Sequence, residues 1–270
     1  MPPRHLETSE PELLRRILEF GDRIGQGTAE RVEPVEGGHV VLNPSADLLH
    51  DASYVAVTDP GIGAGALVET ARAIADREGI GGIEVAPMDS GDGERLAPGF
   101  DLPGWKTEQG IYMVHRREPD GPALHEVSEH HGNEVADFLW DLIKETWSGD
   151  YDGDPDKVTA QFVARERAYA ELGGDHWFVA GDDEGPAAVC YLIEREGWGQ
   201  VETVASFERA RNKGLARSVM LAAIEESESS GNELTFIGAE ADDWPWKLYE
   251  KLGFDPIGVE TVFSFRRPRA

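Results

Sequence analysis

Four cations fall within nine residues, at Arg209, Arg211, Lys213 and Arg217, with Glu208 the single acid beside them. The chain holds 52 acidic and 25 basic residues in 270, a formal net charge of −27, so positive charge gathered in one place is conspicuous. Apolar alternation over 200–206 predicts a strand, and the residues from 213 onward predict a helix. The cations thus stand where a strand gives way to a helix. A helix start exposes unpaired backbone N–H groups and the positive end of the helix dipole, which together attract an anion. Gly214 lets a phosphate approach the main chain closely. A solvated basic helix end, its arginines paired with the abundant carboxylates, explains the charge equally well. The strand–loop–helix setting is what points to phosphate.

The spacing Arg-x-x-Gly-x-Ala at Arg211, Gly214 and Ala216 resembles the pyrophosphate-binding signature of the GNAT superfamily of acyl-CoA N-acyltransferases: Arg or Gln, two residues, Gly, one residue, then Gly or Ala. A second stretch, LYEKLGF from Leu248 to Phe254, is similar to the superfamily's late helix and turn, at the separation the superfamily uses. The resemblance covers residues 124–267. It implies acetyl-CoA as co-substrate. It implies that Val204, Ala205 and Ser206 lie beside the acyl-pantetheine arm. It implies that Arg211, Asn212, Lys213, Gly214, Leu215, Ala216 and Arg217 cradle the pyrophosphate, and that Tyr249 protonates the departing thiolate. Two positions depart from the pattern. Asn212 stands where Gly is frequent and narrows the loop's freedom; Asp242 stands where Asn is frequent and puts a family-type amide contact in doubt.

The residues suit that chemistry. An amine attacking a thioester must first lose a proton, because a free alkylamine has a pKa of about 10.4. A carboxylate can take it, directly or through water. Alternation along 200–206 puts Glu202, Val204 and Ser206 on one face, which makes Glu202 the candidate base; a solvated strand carboxylate is the competing reading. Backbone N–H groups near Val204 can face a developing oxyanion. Tyr249, with an ordinary pKa of about 10, can protonate a thiolate of about 8.5. Otherwise it is an aromatic packed beside Trp246 and Leu252.

These residues need a scaffold of strands and helices. In the second half, periodicity predicts strands at 124–127, 176–180, 187–193, 200–206, 233–237 and 259–265. It predicts helices at 129–147, 155–172, 213–228 and 245–252. In the first half it predicts helices at 11–20 and 64–78, with strands at 39–42, 52–58, 82–86 and 111–115. Interleaved helices and strands mean an α/β layer fold. The Pro- and Gly-bearing turn at 118–122 is the expected boundary between domains at 1–120 and 123–270. The resemblance implies a mixed central sheet flanked by helices in the second. The first is similar to a smaller, degenerate copy of that fold, in element order and over 105–115.

Other signals lead elsewhere. Gly61 to Ala66 fits a dinucleotide pattern, with Glu84 a suitable distance on, yet too few strand–helix units follow for a doubly wound sheet. His125–Glu126 and His130–His131 lack zinc-protease spacing, since Glu129 stands where a histidine is needed, so no metal site is expected. Asp150, Asp152 and Asp154 resemble a calcium loop but lead into Pro155 and Gln161 where Gly and Glu are required. Cys190, the lone cysteine, reads as core and fits a reducing cytoplasm. No stretch is apolar enough for a signal peptide or a membrane span. The acidic surplus argues against general nucleic-acid binding and is read as adaptation to high internal salt. The resulting expectation is an N-acetyltransferase moving acetyl from acetyl-CoA to a primary amine of unidentified nature, with a homodimer left open. The alternative is a non-catalytic acyl-CoA sensor or scaffold.

Overall fold

In the computed structural model, which describes residues 8–267, all eleven strands join one mixed sheet. The chain runs α1 (Glu10–Thr28), β1 (Arg31–Val35), β2 (Gly38–Leu42), β3 (Tyr54–Val57), α2 (Ala64–Glu78), β4 (Gly82–Pro87), α3 (Ser90–Leu96) and β5 (Trp105–His115). It continues with β6 (Val127–His130), α4 (Ala136–Thr146), α5 (Pro155–Leu172), β7 (His176–Asp182), β8 (Gly185–Arg195) and β9 (Trp198–Ser206). It ends with α6 (Leu215–Ser229), β10 (Leu234–Glu240), α7 (Trp246–Lys251) and β11 (Phe254–Arg266). The sheet order is β1-β2-β3-β4-β11-β5-β10-β9-β8-β7-β6.

The turn at 118–122 follows β5, and the strands on its two sides interleave. β5 lies between β11 and β10, and β11 goes on to pair with β4. The last strand of the chain therefore ties both halves into one sheet.

Each helix offers the sheet an apolar stripe. α1 buries Leu13, Leu14, Ile17, Leu18, Phe20 and Ile24, and shares a core with α4, α5, Trp177 and Tyr191 on one face of the sheet. On the other face, α2 and α3 cover β2, β3, β4 and the end of β11, while α6 and α7 cover the second half. Both faces are thus roofed, as a sheet with central parallel pairs requires.

The helices expected at 64–78 and 155–172 have those bounds, and the one expected at 11–20 runs on to Thr28. Two expectations need correction. The strand placed at 124–127 begins only at Val127, and the helix placed from 129 begins at Ala136. Val127–His130 pairs with β7, and Gly132 follows at φ 59°, a left-handed turn that no helix interior accommodates. β1 and α3 were not anticipated.

Candidate active site

The site begins where two parallel strands part. β9 and β10 pair from Trp198 and Leu234 as far as Val201 and Ile237, and no further. Beyond that point β10 stays with β5 through Glu240, while β9 stays with β8. The register on β8 slips as they separate: Tyr191 faces Glu202 and Val189 faces Ala205, so Thr203 and Val204 share the place opposite Cys190. Such a bulge bends a strand. Thr203 adopts φ 51°, strained for a β-branched residue. A wedge opens between the strands, and the β10-facing backbone of residues 202–206 has no strand partner in it.

The bulge corrects the expected facing. Glu202, Thr203 and Ala205 point to the α5 side, where Thr203 bonds Glu166 and Ala205 joins the α4–α5 core. Val204 packs on the α6 side, as does Ala188 opposite Ser206. Simple alternation fails because one extra residue reverses every side chain after it. Glu202 and Ala205 thus lie on one face, and Val204 and Ser206 on the other.

The loop after β9 is the candidate anion cradle. A single 3-10 turn, Glu208–Ala210, leads to extended Arg211, to Asn212 at φ 61° and to Gly214 at φ 88° as the N-cap of α6. Asn is among the few side chains that tolerate the left-handed region, which is why it serves at 212. The first helical hydrogen bond runs from the Ser218 N–H to the Gly214 carbonyl, 3.1 Å. Among the described residues, the N–H groups of Asn212, Lys213, Gly214, Leu215, Ala216 and Arg217 have no partner. These six successive donors stand at the positive end of a 15-residue helix.

The four cations divide. The Arg211 side chain is exposed and makes no ion pair among the described residues. Lys213 Nζ lies 3.7 Å from Asp182. Arg209 is held by Asp182 at 2.5 Å and lies over Phe207. Arg217 turns its guanidinium to the carbonyls of Gly121 and Pro122, so its main chain alone belongs to the cradle.

The cradle also has a support that sequence reasoning missed. The N–H groups of Leu124 and His125 donate to Ser218 Oγ at 3.0 and 3.1 Å, and the His125 ring meets the Lys213 carbonyl at 2.8 Å. Leu124 packs so closely that a Cβ on Gly214 would lie 2.6 Å from its Cδ1. Glycine is therefore favoured at 214 by its left-handed conformation, and any larger residue would also have to displace the exposed end of Leu124. The contact spans about ninety residues of chain, which no local pattern could disclose.

On the opposite side of the wedge, Glu202 accepts from the Gln200 amide. Burial, then the neighbouring Glu166 charge, push its carboxyl up to about 7. Glu166 is itself 5% exposed and accepts from Tyr191 Oη and Arg165 Nε, each at 3.0 Å, as well as from Thr203. Arg165 also reaches Asp51 at 2.7 Å. Tyr249, on α7, is 5% exposed, and its hydroxyl has no hydrogen-bond partner among the described residues. Burial and the charge of Glu202 hold its phenol protonated well above the usual range. Glu202 on the α5 face and Tyr249 in the α6–α7 core lie on opposite sides of the sheet, near enough for the carboxylate to act on the phenol.

The other signals resolve structurally. The Gly61 N–H is taken by Asp59 at 2.8 Å, and β3 and β4 remain paired beside that loop without a wedge. A carboxylate in the turn repels a phosphate, so the dinucleotide reading has no site. Asp154 caps α5, accepting from the Asp156 N–H at 2.9 Å. Asp242 is exposed. Cys190 is fully buried, and burial pushes its thiol far up.

Residues 136–254 match the family model described as the Acetyltransferase (GNAT) family. Similar solved structures include a GCN5-related N-acetyltransferase from Kribbella flavida, 16% identical, covering 96% of each chain with a TM-score of 0.62. A conserved protein of unknown function from Staphylococcus epidermidis is 11% identical over 92% of this chain and 98% of its own, TM-score 0.63. A tandem GNAT protein from the clavulanic acid biosynthesis pathway is 15% identical over 80% of this chain and 76% of its own, TM-score 0.51. At these identities the likeness is one of fold. No curated protein matches the chain.

Proposed function

We propose, from a chain whose residues 136–254 match the GNAT acetyltransferase family model, that this protein moves an acetyl group from acetyl-CoA to a primary amine by direct attack. The family supplies the coarser statement, acyl transfer from acyl-CoA. The coenzyme A part of the reading rests chiefly on a single observation: six unpartnered N–H groups at 212–217, beside the unpaired Arg211, follow the point where β9 and β10 part. An array of that kind suits a diphosphate. The wedge suits an extended pantetheine arm, which can bond the free edge of β9 as a further strand would.

The residues then divide the work. Glu202 takes one proton from the acceptor ammonium. The freed nitrogen lone pair forms the C–N bond at the thioester carbonyl, and backbone N–H groups near Val204 face the oxyanion. As the C–S bond breaks, Tyr249 gives its proton to the leaving sulfur. The amide nitrogen loses its second proton, which restores Tyr249 through solvent. The net products are amide, thiol and one proton.

We read the first half as a degenerate domain that lost its own cofactor turn and now roofs the acceptor side. The acidic surface and the solitary buried thiol support a protein of a salt-rich cytoplasm, although Debye screening at about 1 M salt reaches only ~3 Å and leaves buried charges effective. The test is a panel of amines at high salt, following free thiol released from acetyl-CoA. Amine-dependent release supports the reading. Coenzyme binding with no release on any amine favours an acyl-CoA sensor instead.

A further inference from the structure

The acceptor side carries a second carboxylate that the reaction does not use. Glu260 on β11 is opposite Gly110 on β5, which in turn is opposite Glu240 on β10. A Cβ on Gly110 would lie 2.6 Å from Glu260 Oε1, so this carboxylate lies flat across β5 towards β10. Tyr112, two residues along, leans the same way: a Cβ on Gly238 would lie 3.2 Å from its ring. The Tyr112 hydroxyl feels both Glu260 and Glu202. Glu260, Tyr112 and Glu202 thus form a row on the α1–α5 face, with the Glu260 carboxylate seated over Gly110 and the Tyr112 ring over Gly238.

Neither Glu202 nor Glu260 forms an ion pair among the described residues. Several other shielded acids do, Glu166 and Asp51 with Arg165 and Glu78 with Arg31 and Arg77, while Glu84, also without an ion pair among the described residues, accepts from Ser264 Oγ at 2.9 Å. A separate observation points to the same place. Gln200 is 8% exposed, and its carbonyl oxygen has no hydrogen-bond partner although its amide donates to Glu202. Glu202 accepts from Gln200 and Glu260 has the Tyr112 hydroxyl beside it, but neither carboxylate meets a cation among the described residues. A buried acceptor left open beside two carboxylates without ion pairs is suited to N–H donors that carry positive charge. Between the two carboxylates lies the Tyr112 ring, with Phe236 6.5 Å away, an apolar surface for methylenes.

Resting on the acyltransferase reading above, we propose that the acceptor is a small aliphatic diamine or polyamine, its reacting nitrogen at Glu202 and Gln200 and a second cationic nitrogen at Glu260. Burial holds both carboxyls up at about 7. A bound dication keeps both ionised at neutral pH.

The experiment compares 1,4-diaminobutane, butylamine and 4-aminobutanoate as acceptors in high salt, with thiol release for rates and calorimetry on the coenzyme-loaded protein for binding. The diamine is expected to exceed butylamine at least tenfold in kcat/KM, with 4-aminobutanoate weaker still. Glu260→Gln is expected to cut that ratio below threefold, chiefly through the KM of the diamine, with its melting temperature recorded alongside. Equal use of diamine and monoamine by the unaltered protein overturns the proposal, whether or not the variant folds. If no amine releases thiol, the acyl-transfer reading fails, and calorimetry still decides this one. Tight diamine binding weakened by Glu260→Gln upholds it, and no binding overturns it.

Discussion

The hydroxyl of Thr203, the residue that bulges out of β9, donates to the carboxylate of Glu166 on α5. A threonine at φ 51° costs of order 1–2 kcal/mol and persists when its surroundings hold it there. Glu166 does the holding, and is in turn fixed by Tyr191 and Arg165. The wedge proposed to admit the coenzyme is thus secured by a buried polar network rather than by the strand itself.

Glu166→Ala should therefore destabilise the protein by about 3–5 kcal/mol, the usual cost of leaving a buried partner unmatched. It should weaken coenzyme binding as well, because the bulge can relax. Glu166→Gln keeps acceptors for Tyr191 and Thr203 and should cost less. Denaturant midpoints and coenzyme titrations on both variants check this.

Glu202 sets the pH dependence. With its carboxyl at about 7 in the free protein, kcat/KM should climb as pH rises through 7 and level off above 8. Glu202→Gln should lower kcat by about 10²–10⁴-fold and abolish that limb. Stability should move the other way. The folded state holds this proton more tightly than the unfolded chain, whose ordinary value is 4.5. The stabilisation is whole below 4.5 and is lost as pH rises to 7. The variant should therefore gain stability over the parent at pH 8 and not at pH 4, which melting curves at the two pH values will test.

Arg211→Ala should weaken coenzyme affinity roughly tenfold, as loss of one charge-assisted contact would. Arg209→Ala should act mainly on stability, since Arg209 is held by Asp182. Titration of both variants at two salt concentrations separates the roles: a smaller salt dependence is expected for Arg211→Ala alone.

Cys190 should resist a disulfide reagent in the folded protein and react fully in denaturant, because it is buried and its thiol is held protonated. Rapid native labelling would place it near the surface instead.

Much of the candidate site's local geometry was legible in the sequence. The Arg211–Ala216 turn announces itself by charge against an acidic background, and its glycine lies at φ 88°, as a phosphate turn requires. The helices at 64–78 and 155–172 show because their apolar stripes and caps are local. What stayed hidden depends on distant partners. Alternation cannot reveal that Thr203 is bulged, since Glu166 holds it from α5. Leu124 and His125 support the cradle through Ser218, far along the chain. The segment at 129–130 has helical periodicity, but pairing with β7 and the left-handed Gly132 prevail. Nor does the turn at 118–122 disclose that β5 is clasped between β10 and β11.

The most direct measurement is a calorimetric titration of coenzyme A, and of pantetheine lacking the diphosphate, into the parent protein and Gly214→Glu. The cradle predicts clear binding of coenzyme A by the parent, little of pantetheine, and loss of coenzyme A binding in a variant that still melts cooperatively. Equal affinity for coenzyme A in parent and variant, or equal affinity of the parent for both compounds, would contradict it.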